Sequence, residues 1–338
     1  MLSGTLTNVS KSSSVENVRD AFFVNLLDPA NVMFPDTYID QLHEANVGVE
    51  NVTTAAPWED QRHTFERFSQ WLALFNKHCE KIHRVERTDD IEEARSRGKV
   101  GIILGLQGAS PIGESLDSLL AYQKLGLRVL GLAYQRRNMF ADGCGEPRDS
   151  GLSQLGERLI EETNRLGIVI DLSHSGRTSA LEAIELSKDP VMFSHSNVKA
   201  LCRNVRNLDD EQIKAVAEKG GIMGIAAYGP LLRSEARSTM KDLLDHIDYV
   251  VKLVGSDHVG LGLDLNPPTP KQFFEEFKRR FPEIAGNYAF ETTVESFSSP
   301  TEWPKIMEAL LTRGYSHDEI RDILGGNSLR VFKRVWRS

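Results

Sequence analysis

The chain is poor in cysteine, has no basic excess and lacks long apolar runs, and each shortage removes a class of function. Its three cysteines, Cys79, Cys144 and Cys202, are odd in number and far apart. That pattern argues against a disulfide-stapled scaffold and points to a reducing compartment. Lys and Arg number 40 against 48 Asp and Glu, for a net charge of -8. Nucleic-acid binding needs a basic footprint, and none is present. No apolar run reaches the roughly 18 residues needed to span a membrane. The opening MLSGTLTNVSKSSSVENVRD has no signal-peptide core. Residues 1–20 read as a polar lead-in, and the protein is expected to be cytosolic, with no membrane partner.

The remaining composition, 40% hydrophobic and 26% charged over 338 residues, is that of a soluble globular protein. This length fits one large α/β barrel or two medium domains. Eight short segments read as strands: 21–27, 47–54, 100–108, 127–134, 167–174, 190–196, 220–228 and 258–265. Helix-period segments lie near 59–81, 115–125, 152–166, 178–187, 209–219 and 239–253. Two more, near 301–313 and 317–336, close the chain. Five strands are nearly all apolar, as in parallel sheets covered on both faces. The economical solution is a single (β/α)8 TIM barrel over 21–338. A doubly wound open sheet is the alternative. The irregular stretch 266–300 reads as an insertion after the eighth strand, with one helix near 271–280.

The most informative stretch is GIVIDLSHSGRTSALEAIELSKDPVMFSHS, residues 167–196. Strand, helix and strand make one βαβ unit, which implies a parallel pair. Its two strands end in His174 and His195, which therefore arrive side by side at the carboxyl rim, where such barrels keep their chemistry. Imidazole serves both metal ligation and proton transfer near neutral pH. Other polar residues fall late in their strands: Gln107, Tyr134, Asp171, Tyr228 and Asp264. The loop QRRNMFADGCGEPRDSG after Tyr134 is long enough to be functional. Its Arg136 and Arg137 either add to an anionic pocket or lie in solvent.

From about residue 99 onward the chain resembles the membrane (renal) dipeptidase family of zinc metallopeptidases, in the amidohydrolase-like barrel group. The resemblance rests on LGLQGASP, GLRVLGLAY, GLSQLGERLIEETNRLGIVIDLSH, PVMFSHSNVKALCRNVRNLDDEQ, KGGIMGI, LLDHIDYVVKLVGSDHVGLGLDL and ILGGNSLRVF. In that family two zinc ions share a Glu at the end of the third strand. A His-x-Asp pair on the first strand completes one ion, and two His complete the other. The resemblance matches His174 and His195 to those two His, and Arg206 to the Arg that holds the substrate carboxylate. It matches Asp264 to the Asp that manages the proton of the attacking water. It also implies a homodimer.

Three positions depart from the pattern. Gln107 stands where the bridging Glu is expected. The first strand reads VNLLDPAN, with Asn25 and Asp28 but no His. Tyr134 replaces the His that polarises the scissile carbonyl. The one His-x-Asp of the chain, His246 and Asp248, lies in a helical segment where residues two apart do not face each other. Two zinc ions a few ångströms apart would repel without the shared carboxylates. The expectation is therefore at most one Zn2+ on His174 and His195, completed by Gln107, Asp264 or water. Cys144 is either a further ligand or an ordinary loop cysteine. A metal-free site is equally open.

The first functional expectation is a hydrolase that cleaves an amide in a small carboxylate-bearing or dipeptide-like molecule. Asp264 would be its general base, and Tyr134 or the metal would stabilise the oxyanion. Arg206, Gln107 and Tyr228 would bind substrate. The second is a metal-independent isomerase, tautomerase or lyase using His174, His195 and Asp264. The third is a non-catalytic binding barrel.

Overall fold

The computed structural model describes residues 22–29, 36–233, 237–265, 271–281 and 293–336. The expected lead-in at 1–20, and 266–270 and 282–292 of the expected insertion at 266–300, lie outside the described residues. Among the described residues nine strands form one parallel sheet: β1 Val24–Asp28, β2 Val49–Thr53, β3 Ile82–Arg84, β4 Val100–Leu106, β5 Leu127–Gly131, β6 Val169–Asp171, β7 Met192–Ser196, β8 Ile222–Ile225 and β9 Val259–Leu261. Eight follow the order β2-β1-β9-β8-β7-β6-β5-β4, and β2 pairs with β4 to close the ring. The seam between the ends of the chain is β1 with β9, where Asn25 Oδ1 accepts from Leu263 N–H at 2.8 Å. The fold is therefore the (β/α)8 barrel, and ring closure rules out the open sheet. The ninth strand, β3, lies on the same edge of β4 as β5, nearer the start of β4.

Side chains alternate between two cores, as strand geometry demands. Val24, Leu26, Val49, Ile103, Val129, Val169, Met192 and Ile222 pack together inside the ring. Their neighbours Phe23, Val52, Ile102, Leu104, Leu130, Ile170, Phe193 and Met223 pack outward, under the helices. Strand β9 carries Gly260 toward the inner core, where a Cβ would come within 2.8 Å of Leu26 Cδ1. The inner core also includes Val331, Phe332 and Val335 of the helix Asn327–Val335. Phe332 stacks on Trp336 with ring centroids 4.4 Å apart, and Trp336 Nε1 donates to Arg128 O. Burying each of these side chains contributes about 1.5–3 kcal/mol.

The expected outer helices form, with caps written in the sequence. Asp60 caps Gln61–Lys77 by accepting from His63 N–H. Asp209 caps Asp210–Glu218, and Thr239 with Asp242 makes a capping box on Met240–Val254. The expected helix at 271–280 is present as Lys271–Arg280. The expected single helix at 317–336 is interrupted by a π-helical turn, Asp322–Gly326. There a Cβ on Gly325 would come within 2.4 Å of Phe22 O, so the turn is drawn tightly against the chain entering β1. Three helices, Asp36–Glu44, Thr88–Ser96 and the single turn Gly229–Leu232, have no counterpart in the sequence reading. Among the described residues no helix is long and apolar enough to cross a membrane.

Candidate active site

The two histidines meet as the βαβ argument requires. His174 Nε2 lies 2.8 Å from His195 Nε2, and both rings are buried. His174 follows β6 with φ +67, a left-handed conformation that is uncommon for a side chain of this size. That turn brings its ring toward β7. His195 is held from behind. Ser194 Oγ donates to Asp171 Oδ2 at 2.5 Å and lies 2.6 Å from His195 Nδ1. Asp171 Oδ1 also accepts from the backbone N–H groups of Ser173 and Ser194. An ionised carboxylate can only accept, so the Ser194 proton goes to Asp171 and Ser194 Oγ accepts from His195 Nδ1–H. The tautomer inferred from this network leaves the Nε2 lone pair of His195 facing His174. His174 Nδ1 has no hydrogen-bond partner among the described residues. Burial holds both imidazoles well below their ordinary pKa, and the Arg206 charge adds to the effect. Both are therefore neutral at pH 7.

Arg206 is buried beneath this pair, and its Nη2 donates to His195 O at 2.9 Å. Among the described residues it makes no ion pair. Asp264 follows β9 with φ +52. Burial pushes its carboxyl up to about 7; Arg206 opposes that rise and Asp28 adds to it. A carboxyl present in both forms at neutral pH is suited to proton transfer. Tyr134 lies with its ring centroid 4.2 Å from that of His174. Phe281, just beyond the helix Lys271–Arg280, packs edge-on against Tyr134 at 5.5 Å and carries the Arg136 guanidinium over its face. Gln107 Nε2 donates to Thr53 Oγ1 at 2.7 Å, at the mouth ends of β4 and β2. Tyr228 lies beyond the end of β8, in a small cluster with Ala226 and Leu231 outside the two main cores.

Other sequence candidates are occupied elsewhere. Cys144 donates from Sγ to Gln135 Oε1 at 3.1 Å, and burial pushes its thiol up. Arg137 is paired with the buried Asp142 inside the loop after β5. His246 is buried in its helix, where Nδ1 accepts from Val198 N–H. Asp248 pairs at the surface with Arg313 and Tyr315. The helical expectation for that His-x-Asp therefore holds. Among the described residues, the one group of three His, Cys, Asp or Glu with ligand atoms within 4.8 Å of one another is His83, Asp90 and Glu93, away from the mouth. Among the described residues, no third residue of these types brings a ligand atom that close to both His174 and His195.

Two residues escaped the sequence reading. Ser194 is the link that orients His195. Glu50 is fully buried in β2, with Oε2 accepting from Asn25 Nδ2 at 2.7 Å. Burial pushes its carboxyl well above the ordinary range, and Asp28 pushes it further, against the pull of the Asn25 bond. Asn25 and Glu50 are register partners on adjoining strands, so the polar residues that interrupt both segments were the available signal. Besides Asp171 on β6, the barrel carries Asp28, Glu50 and Asp264 as buried or partly buried acids, on β1, on β2 and after β9.

Comparison with known proteins places the chain in a family. The model of the family described as membrane dipeptidase, peptidase family M19, matches residues 20–278 and 283–337. Dipeptidase 3 of Homo sapiens is 28% identical over 316 residues, which cover 90% of this chain and 59% of that protein. Dipeptidase aclJ of Aspergillus oryzae is 30% identical over 284 residues, 82% of this chain and 62% of that one. The chain thus spans about three fifths of the length of these curated relatives. A crystal structure described as an amidohydrolase from Pseudomonas aeruginosa superposes with a TM-score of 0.88 at 29% identity, covering 96% of this chain and 98% of that one.

Proposed function

Because the chain belongs to the membrane dipeptidase family, peptidase family M19, we propose that it is a hydrolase cleaving an amide bond in a small, carboxylate-bearing, dipeptide-like substrate. The observation that carries this reading is the convergence of His174, His195 and Arg206 at one end of the barrel. Arg206 grips the substrate carboxylate through its planar fork of donors. Asp264 takes and returns the proton, since its carboxyl titrates near the working pH. Tyr134 offers its hydroxyl to the oxygen that gains negative charge.

The donor set supports one divalent ion at most. Two neutral imidazoles would hold it through Nε2, with the Gln107 amide oxygen or water completing the shell. A bound Zn2+ would lower the pKa of its water to about 7. The Ser194–Asp171 link fits such a ligand role for His195, because it holds the ring and frees Nε2. The second reading is metal-independent proton transfer, as in an isomerase, tautomerase or lyase. It is favoured by the 2.8 Å spacing of the two Nε2 atoms, an ordinary hydrogen-bond length that a neutral pair satisfies by itself. A cytosolic homodimer is proposed alongside both readings.

Elemental analysis of the purified protein, beside a His174→Ala/His195→Ala variant, separates the two. About one zinc per chain, lost in the variant, supports the hydrolase. A wild type that takes up no metal when incubated with zinc rules out the metallopeptidase reading and leaves proton-transfer chemistry.

A further inference from the structure

Phe281 enters the barrel mouth from the segment after β9, and residues of two other loops close around its buried ring. Trp58, after β2, lies 6.0 Å away between ring centroids. Tyr134, after β5, meets it edge-on, and the Arg136 guanidinium lies over it at 5.5 Å. Arg280, its chain neighbour, sits over Trp58 at 5.7 Å. Edge-on ring pairs and cation–ring contacts are directional, so they fix orientation as well as bury area.

The loop after β5 is strained at the point where it makes this grip. Arg136 N–H donates to Tyr134 O at 2.6 Å, and Gln135 between them has φ +63. A γ-turn with positive φ is rare and costly for a residue with a side chain. It persists because the loop holds Gln135 firmly. Gly145 N–H donates to Gln135 O, and Cys144 Sγ donates to Gln135 Oε1. A Cβ on Gly143 would come within 2.2 Å of Gln135 C. The turn brings a phenol and a guanidinium, two residues apart, onto one phenylalanine from far along the chain. Tyr134 in turn meets His174, so Phe281, Tyr134 and His174 form a row of rings that ends at the His174–His195 pair.

We propose that Phe281 is a positioning residue: gripped by Trp58, Tyr134 and Arg136, it seats the Tyr134 ring against His174 and so aims the phenol hydroxyl. The segment after β9 thereby completes the site from outside the ring of strands. The effect on rate rests on the reading of Tyr134 as donor to the forming oxyanion. The effect on the ring does not.

Proton–carbon NMR of the full chain with labelled histidine tests it. His174→Gln assigns the His174 signal. An aromatic ring with its centroid 4.2 Å away shifts that signal by its ring current, so Tyr134→Leu defines the position without the ring. Phe281→Leu, which keeps an apolar plug, is expected to move the signal toward that position, and Phe281→Tyr, which keeps the ring, to restore it. Trp58→Leu, at a half-buried position, loosens the same grip and is expected to move the signal the same way. The signal of His246, buried in the helix Met240–Val254, reports that each variant is folded. For hydrolysis of the dipeptide Ala-Ala, Phe281→Leu is expected to lower kcat about tenfold with KM little changed, the scale of one lost ring pair. A His174 signal that stays in place in both Phe281→Leu and Trp58→Leu overturns the proposal. A signal that moves while kcat holds supports the positioning and overturns the reading of Tyr134 as donor.

Discussion

Asp264→Asn isolates the carboxyl that the barrel mouth perturbs most legibly. Burial raises it from 3.8 to about 7, so the folded protein holds a proton there that the unfolded chain has released. A raised folded pKa gives stability that is fully present below the unfolded value and is lost as pH climbs through the folded one. The window is therefore about pH 4 to 7, with stability falling as pH rises. Three units at about 1.36 kcal/mol each set a ceiling of about 4 kcal/mol. Asp264 keeps partial contact with solvent, which screens the effect, and about 2 kcal/mol between pH 5 and pH 8 is the expected size. Asparagine is the suitable probe, because at φ +52 it is tolerated where alanine would be strained. Urea unfolding of both proteins at the two pH values gives the answer. The wild type should lose about 2 kcal/mol more than the variant on going to pH 8. A wild-type-minus-variant difference that stays constant across the window refutes the argument.

Ser194→Ala leaves His195 Nδ1–H without its acceptor and Asp171 without a hydroxyl donor, and should cost about 1–3 kcal/mol of stability. Activity or metal affinity should fall about 10–100-fold. Unchanged nitrogen shifts for His195 in the variant would show that Ser194 does not set the tautomer. Glu50→Gln replaces an acid held neutral by burial and by Asp28. Its stability relative to wild type should grow as pH rises above the ordinary glutamate range, because only the wild type loses stability as Glu50 ionises. A relative melting temperature that does not move with pH would mean that Glu50 titrates normally.

The barrel was legible because its strands are short apolar runs set apart by helix-period segments, and all eight that form the ring were read in place. Strand β3 was not. Three residues, Ile82–Arg84, with a His and an Arg among them, carry no periodicity. The helices Asp36–Glu44 and Thr88–Ser96 are short and mostly polar, so their apolar stripe is thin. The site was legible where chemistry sat at strand ends, as with His174, His195 and Asp264. It was illegible where a role depends on a neighbour's orientation. Ser194 becomes informative only once Asp171 and His195 are seen on either side of its hydroxyl. Glu50 becomes informative only once β1 lies beside β2 and brings Asn25 to it.

Closure of the ring also sets the order in which the protein can be made. The bond that joins Asn25 to Leu263 spans 238 residues, and the bond from Trp336 to Arg128 spans 208. A chain emerging from the ribosome can pair β1 with β2, and β4 with β5, but β1 keeps an unpaired edge until β9 arrives. The inner core stays open at one end until Phe332 is out. Such long-range closure is slow and leaves strand edges exposed on the way. Nascent chains halted before residue 259 should therefore be the species that chaperones bind.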